Sequence, residues 1–248
     1  MLKTGTIAER LYRHLIERSR QYAVEDVRIG ASYVAVVLEG GFVGVAARLK
    51  EAVGAEIEPS RVHGRFTGRP VDTLLDRLVG GTGAVDRALG LAAANALIHP
   101  AIPPQEEDTI GLMNLRPGER VAMVGLFRPI VARIAGTGAN LEVVEIDTGE
   151  AKRREVLEAC DVAIITATTL LNRTLEEILN ELGHPRHVAL IGPSTPLCEE
   201  IVRETPVTHL GGAAVADADR LLRVVSEGGG TPAMRPCLRF VNIMVPRS

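Results

Sequence analysis

Tryptophan is absent, and aromatic residues make up only 3% of the 248 positions. Stacking platforms for unpaired bases need aromatic faces, so single-stranded nucleic acid is a poor partner. A net charge of −3 gives neither nucleic acid nor an acidic membrane any electrostatic hold. There is no C-x-x-C pair. Cys160, Cys198 and Cys237 are odd in number and far apart, which argues against a disulfide scaffold and a zinc knuckle. Each sits beside an apolar run and is expected as a small buried thiol. No run approaches a membrane span, and the charged, amphipathic start MLKTGTIAERLYRHLIERSRQ lacks the apolar centre of a signal peptide. These absences point to the cytoplasm.

What is present is globular: 46% hydrophobic and 24% charged residues, enough to bury one large core or two modest ones. Thr6 is placed to cap a helix with Ile7, Leu11, Leu15 and Ile16 on one face. Runs Tyr33–Leu38 and Phe42–Ala46 flank Glu39-Gly40-Gly41, a hairpin signal. The stretch from Pro59 to Pro70 reads as a loop, and helices are expected over Val71–Val79 and Ala84–Ile98. The second is Ala-rich, so another backbone can approach it closely. Within it Asn95 is an anomaly, since a buried amide needs partners. It reads equally as an amide satisfied by nearby backbone and as one facing a ligand cleft. His99 would share its face if the helix continued that far.

Prolines 100, 103, 104 and 117 and the acidic run Glu106-Glu107-Asp108 break all periodicity. We place a domain boundary there, giving domains 1–104 and 105–248. Beyond it, short apolar strands (Arg120–Val124, Leu141–Ile146, Val162–Ile165, Val188–Ile191, Val207–Leu210, Leu238–Val245) alternate with helix-length segments. The helices expected are Ile130–Ala135, Ala151–Ala159, Leu170–Leu182, Leu197–Arg203 and Asp217–Val225. Non-alternating strands covered on both faces predict an α/β fold with a doubly wound, Rossmann-like parallel sheet.

Such sheets bind ligands at their carboxyl edge, and the polar residues gather in those loops. After the first strand, Gly125-Leu126-Phe127-Arg128-Pro129 replaces G-x-G-x-x-G, which disfavours NAD or FAD in the usual pose. Arg128 stands beside a helix start as a clamp for carboxylate or phosphate, with a surface ion pair as its plainer role. Glu145 follows Gly125 by 20 residues, the place of a ribose-binding acid. Thr166, Thr168, Thr169 and Asn172 follow the third strand, with Thr168 or Thr169 expected as a helix cap. Ser194 and Thr195 lie in a stiff proline-bounded loop without a G-x-S-x-G elbow, so a serine nucleophile is disfavoured. Ser226-Glu227-Gly228-Gly229-Gly230-Thr231-Pro232 must pass close to ligand or to another backbone. Glu145 and Glu227 are the candidate acid–base groups. No compact His/Cys set offers a metal site.

The segments VGLFRPIV, ITATTLLNRTLEEIL, LIGPSTPL and SEGGGTP together resemble the putative heavy-metal chelation domain family. The hairpin and GLAAANAL resemble the enolase-N-terminal-like domain that precedes it. That resemblance implies an α+β enolase-N-terminal-like domain, then the Rossmann-like one, with a site between them. It also implies condensation or hydrolysis in making pterin-, flavin- or siderophore-like metal-binding molecules. Ala167 departs from the glycine usual after the third strand.

The expected ligand is therefore a small anionic molecule or a metal chelate. Asn95, Arg128, Thr166, Thr168, Thr169, Asn172, Ser194, Thr195, Gly229 and Gly230 are the candidate binding residues, and no cofactor is named. The alternatives are a non-catalytic metal or metal-complex binder and, on the fold and Glu145 alone, an adenosylmethionine-dependent methyltransferase. Small-residue helices are compatible with a homo-oligomer.

Overall fold

The computed structural model describes residues 5–50, 66–99 and 103–246. Helix α1 (Ile7–Ser19) starts on a capping box. Thr6 Oγ1 accepts from the Glu9 amide at 3.2 Å, and Glu9 Oε2 accepts from the Thr6 amide at 2.8 Å. Such a cap contributes about 1 kcal/mol. Three antiparallel strands follow in order: β1 (Val24–Ile29), β2 (Tyr33–Leu38) and β3 (Phe42–Ala47). The β2–β3 hairpin turns on Gly40 and Gly41, both at positive φ, as the paired glycines predict. Strand β1 escaped sequence reading because its Glu25, Asp26 and Arg28 interrupt the apolar run on the side that is less buried.

Helix α3 (Ala84–Leu97) lies against this sheet, and α2 (Asp72–Gly80) packs on α3 and α1. A Cβ on Gly44 of β3 would collide with the Ala92 carbonyl and the Ala96 amide of α3. Glycine on the strand and alanines on the helix therefore permit backbone-to-backbone packing, which dispersion rewards and a methyl group would break. Helix α3 ends at Leu97, before His99. His99 instead lies 3.0 Å from an Arg18 guanidinium nitrogen and edge-on to Phe42. In the loop ending at Pro70, residues 59–65 lie outside the described residues, while Pro70 bridges Ala23.

From residue 103 onward the connecting stretch is more ordered than its prolines suggest. Asp108 accepts from the Gly111 amide at 2.7 Å and caps a short helix, α4 (Thr109–Met113), which sequence reading missed. Gln105 exchanges two 2.8 Å backbone bonds with Asn242, so the chain joins the second sheet at that residue.

That sheet contains β4 (Arg120–Val124), β5 (Asn140–Val144), β6 (Val162–Thr166), β7 (His187–Ile191), β8 (His209–Val215) and β9 (Leu238–Met244). Its order is β5-β4-β6-β7-β8-β9, parallel except that β9 runs antiparallel to β8. Strand β8 reaches five residues beyond the expected Leu210, because pairing with β9 continues to Val215. The helices are α5 (Arg128–Ala135), α6 (Glu150–Ala159), α7 (Thr169–Asn172), α8 (Leu175–Glu181), α9 (Ala218–Ser226) and α10 (Thr231–Met234). The single helix expected over Leu170–Leu182 is broken at Arg173, φ 62°, whose guanidinium donates to the Val79 and Gly81 carbonyls across the molecule. The helix expected over Leu197–Arg203 shrinks to one 3-10 turn, Glu199–Ile201, because Leu197 is drawn over Gly212.

Alternate side chains of β6 and β7 serve different cores. Ala163, Ile165, Val188 and Leu190 share a cluster with Ile7, Leu74 and Leu91 of the first half. Ile164, Ala189 and Ile191 pack with Met113, Met123 and Ile134 on the other face. The three cysteines are free and buried. Among the described residues no helix is long and apolar enough to cross a membrane.

Candidate functional site

Strand order reverses between β4 and β6, and the crevice outside their carboxyl ends is where an open α/β sheet takes ligand. Gly125 leaves β4 at φ +83°, and a Cβ there would lie 2.8 Å from Thr166 Cγ2 at the end of β6. Glycine is needed both for that conformation and for that approach. Thr166 and Thr168 join hydroxyls at 3.0 Å and are both half-buried. The shared hydrogen engages one donor and leaves the other hydroxyl hydrogen available. Arg128 opens α5 and is exposed, and its guanidinium makes no hydrogen bond or ion pair among the described residues. Glu145 follows β5 and is exposed; a turn fixes its backbone, its amide donating to Thr148 Oγ1 at 2.9 Å.

Several of the other expected binding groups are already occupied by protein. Thr169 donates to the Thr166 carbonyl at 2.7 Å, and Thr168 caps through backbone position alone, so neither hydroxyl caps α7. Asn172 Oδ1 accepts from the Thr174 amide and hydroxyl, which makes the Asx turn between α7 and α8. Ser194 is 2% exposed, and its hydroxyl accepts from the Ala47 amide at 2.8 Å. Asn95 donates to the carbonyls of Val45 at 2.9 Å and Ser194 at 3.2 Å. At β7 the two halves therefore meet in a closed seam in which Asn95 is a clasp. Among the described residues two buried atoms there find no hydrogen-bond partner, Asn95 Oδ1 and Thr195 Oγ1.

The glycine run after α9 terminates that helix. Gly229 donates to the Val224 carbonyl at 2.9 Å and Gly228, at φ +79°, to the Val225 carbonyl at 3.0 Å, the paired bonds of a Schellman cap. Of the two readings of that loop, the close backbone is the one realised for Gly229; Gly230 precedes α10 as its N-cap, where an added Cβ would meet only Pro232 Cδ, at 3.8 Å. Glu227 is exposed at the end of α9, next to the β1–β2 turn rather than the β4–β6 switch: Ser32 donates to the Gly228 carbonyl at 3.2 Å.

Two polar constellations escaped sequence reading. His14 of α1 comes together with Cys198 and Glu200, their ligand-type atoms all within 4.8 Å of one another. Burial, and next to it Glu200, pushes the Cys198 thiol up to about 12. Burial opposes ionisation of Glu200, yet its own amide, the Cys198 thiol, His14 and Arg203 hold that carboxyl below its ordinary value. Only the C-x-E spacing of Cys198 and Glu200 was visible in advance, and it is too common to be a signal.

The second is a hydrogen-bonded chain, His187–His209–Asn242–Thr109, buried as far as Asn242 and half-buried at Thr109. Asn242 turns its Nδ2 to the Glu107 carbonyl at 2.8 Å, so its Oδ1 accepts from His209 Nε2 at 2.9 Å and from Thr109 at 2.9 Å. Neutral His209 then accepts at Nδ1 from His187 Nε2, 3.1 Å away. Burial lowers the His209 pKa. At the opposite, amino edge of the sheet, a depression of about 440 Å³ is lined by Glu119, Asp161, His184 and Arg186. There Arg186 grips Glu119 at 2.6 and 2.7 Å and depresses that carboxyl to about 2.

Two family models match this chain, DUF4213 over residues 12–98 and DUF364 over residues 108–244, and both are described as putative heavy-metal chelation. An uncharacterised protein of Methanocaldococcus jannaschii, MJ0500, is 25% identical over 234 residues, covering 87% of this chain and 88% of that one. A protein of unknown function from the DUF364 family of Pyrococcus horikoshii superposes with a TM-score of 0.79 at 21% identity, over 97% of this chain and 100% of that one. A second, from Desulfitobacterium hafniense DCB-2, gives 0.75 at 20% identity, over 95% and 98%. At such identities the likeness is one of fold.

Proposed function

The chain belongs to the putative heavy-metal chelation family, and from that premise we propose that it binds a small anionic molecule of pterin, flavin or siderophore kind at the carboxyl ends of β4 and β6. The observation that carries this reading is Arg128: an exposed guanidinium without a described protein partner, on the strand end adjacent to the Thr166–Thr168 hydroxyl pair. A guanidinium grips carboxylate or phosphate through two parallel hydrogen bonds, and hydroxyls either donate to ring carbonyls or accept from ring N–H groups. Glu145, on the strand end at the other side of β4, supplies the carboxylate for a condensation or hydrolysis step. Thr169 and Asn172 hold the turn after β6 that presents the hydroxyl pair, whereas Ser194 and Asn95 join the two halves of the chain and Gly229 ends α9. We also infer a division of the chain between residues 104 and 105, since Gln105 already pairs with β9.

The test is mass spectrometry of small molecules released on denaturing protein purified under mild conditions, for the wild type and Arg128→Ala. A released anionic heterocycle or siderophore-like compound is expected from the wild type and at least about ten-fold less from the variant. Equal release from both, or none from the wild type, rejects the reading.

A further inference from the structure

Residues Arg10 and His14 are one turn apart on α1, on the side that packs against the 3-10 turn following the β7 loop. Arg10 donates to the Ile201 carbonyl at 3.4 Å and faces Glu204 at 3.7 Å, which fixes the helix over that turn. Cys198 enters the turn in extended conformation, φ −133° and ψ 100°, and aims its sulfur at Glu200, two residues on. The thiol donates to Glu200 Oε2 at 3.3 Å. In a tetrahedral centre with bonds of about 2.0–2.3 Å, a sulfur–oxygen edge is about 3.5 Å. Sulfur and carboxylate thus already stand at the spacing of ligands to one ion. The imidazole completes the triangle within 4.8 Å, and as an exposed side chain it closes by side-chain rotation alone.

We propose that His14, Cys198 and Glu200 form a three-ligand site for a divalent cation of borderline softness, the zinc class. The donor set makes the selection. One imidazole nitrogen, one thiolate and one carboxylate suit zinc and its neighbours, whereas magnesium and calcium take oxygen alone. Three protein ligands leave a fourth position for water or an incoming donor. Binding breaks the Cys198 S–H bond, forms a metal–sulfur bond and passes one proton to solvent, with no change of oxidation state. Affinity therefore falls as pH falls. The site lies between α1 and the segment after β7, apart from Arg128, and does not rest on the anion reading.

Titration of chelator-treated protein with Co²⁺ tests this, because a thiolate–cobalt bond absorbs in the near ultraviolet and tetrahedral cobalt in the visible. The expected result is saturation at one equivalent, with both bands lost when Zn²⁺ is added. Cys198→Ser removes the near-ultraviolet band, and His14→Ala and Glu200→Gln each weaken Co²⁺ binding by about ten-fold or more. His14 is exposed, so its variant keeps the native circular dichroism spectrum. The inference is overturned by a charge-transfer band that survives Cys198→Ser, by wild-type affinity in His14→Ala, or by no band at one equivalent. Arg128→Ala is expected to bind Co²⁺ as the wild type does; loss of the spectrum there would contradict the separation of the two sites.

Discussion

Two stretches of the same sheet edge carry polar residues of similar kind and use them differently. At the end of β7, Ser194 and Asn95 are engaged by backbone groups of β3 and of the β7 loop, and Ser194 is 2% exposed. At the ends of β4 and β6, the Thr166–Thr168 pair is half-buried and Arg128 is exposed with no described partner. Both stretches look like ligand sites on a strand-end argument, but burial and hydrogen bonds separate them. A hydroxyl that satisfies a buried amide is already committed, since releasing it leaves that donor unpaired. The comparison gives the β7 end to cohesion between the halves and leaves the β4–β6 end as the place where recognition is proposed.

The comparison breaks most easily at the seam. Gly44→Ala puts a methyl group into the α3 backbone just beneath Asn95, and should cost about 3 kcal/mol in urea unfolding. A loss under about 1 kcal/mol would mean that the helix sits further from β3 than described. Asn95→Ala leaves the Val45 and Ser194 carbonyls without their donor and should cost about 2 kcal/mol. If it instead left stability intact and abolished small-molecule retention, Asn95 would move from cohesion to recognition.

A smaller, pH-dependent effect belongs to His209. Its folded pKa lies below the unfolded value near 6.5, so below that pH the unfolded chain takes up a proton that the native state refuses. Stability should fall as pH drops through 6.5 toward the lower folded value, and should be unaffected by this group above 6.5. The wild-type loss between pH 7 and 5 should exceed that of His209→Gln; parallel profiles would exclude this histidine as the cause. The smallest stability effect is predicted for Arg128→Ala, within about 0.5 kcal/mol by urea unfolding, because nothing described in the protein leans on it. A larger loss would show that its guanidinium is structural.

Much of the fold was legible because local chemistry and packing agree there. β4 matches its apolar run residue for residue, the hairpin its paired glycines, and α3 its alanines. Elements settled by tertiary contact were not legible. Strand β1 carries charges on its open side, α4 depends on one Asp108 cap inside a proline-rich stretch, and α7 and α8 part at Arg173 to reach Val79 and Gly81. For the site, the strand-end rule brought out Arg128, Glu145 and the threonines. It could not separate Ser194 from Thr168, because the Ala47 amide that claims Ser194 comes from the other half of the chain. Nor could it bring His14 to Cys198, which only the docking of α1 achieves.

The most direct test of the division along this edge is a crystal of the protein soaked in tungstate, an oxyanion of phosphate-like shape located by its anomalous scattering. The account predicts a peak within hydrogen-bond reach of Arg128 at the β4–β6 switch and none in the Asn95–Ser194 seam. A peak in the seam with none beside Arg128 would contradict it.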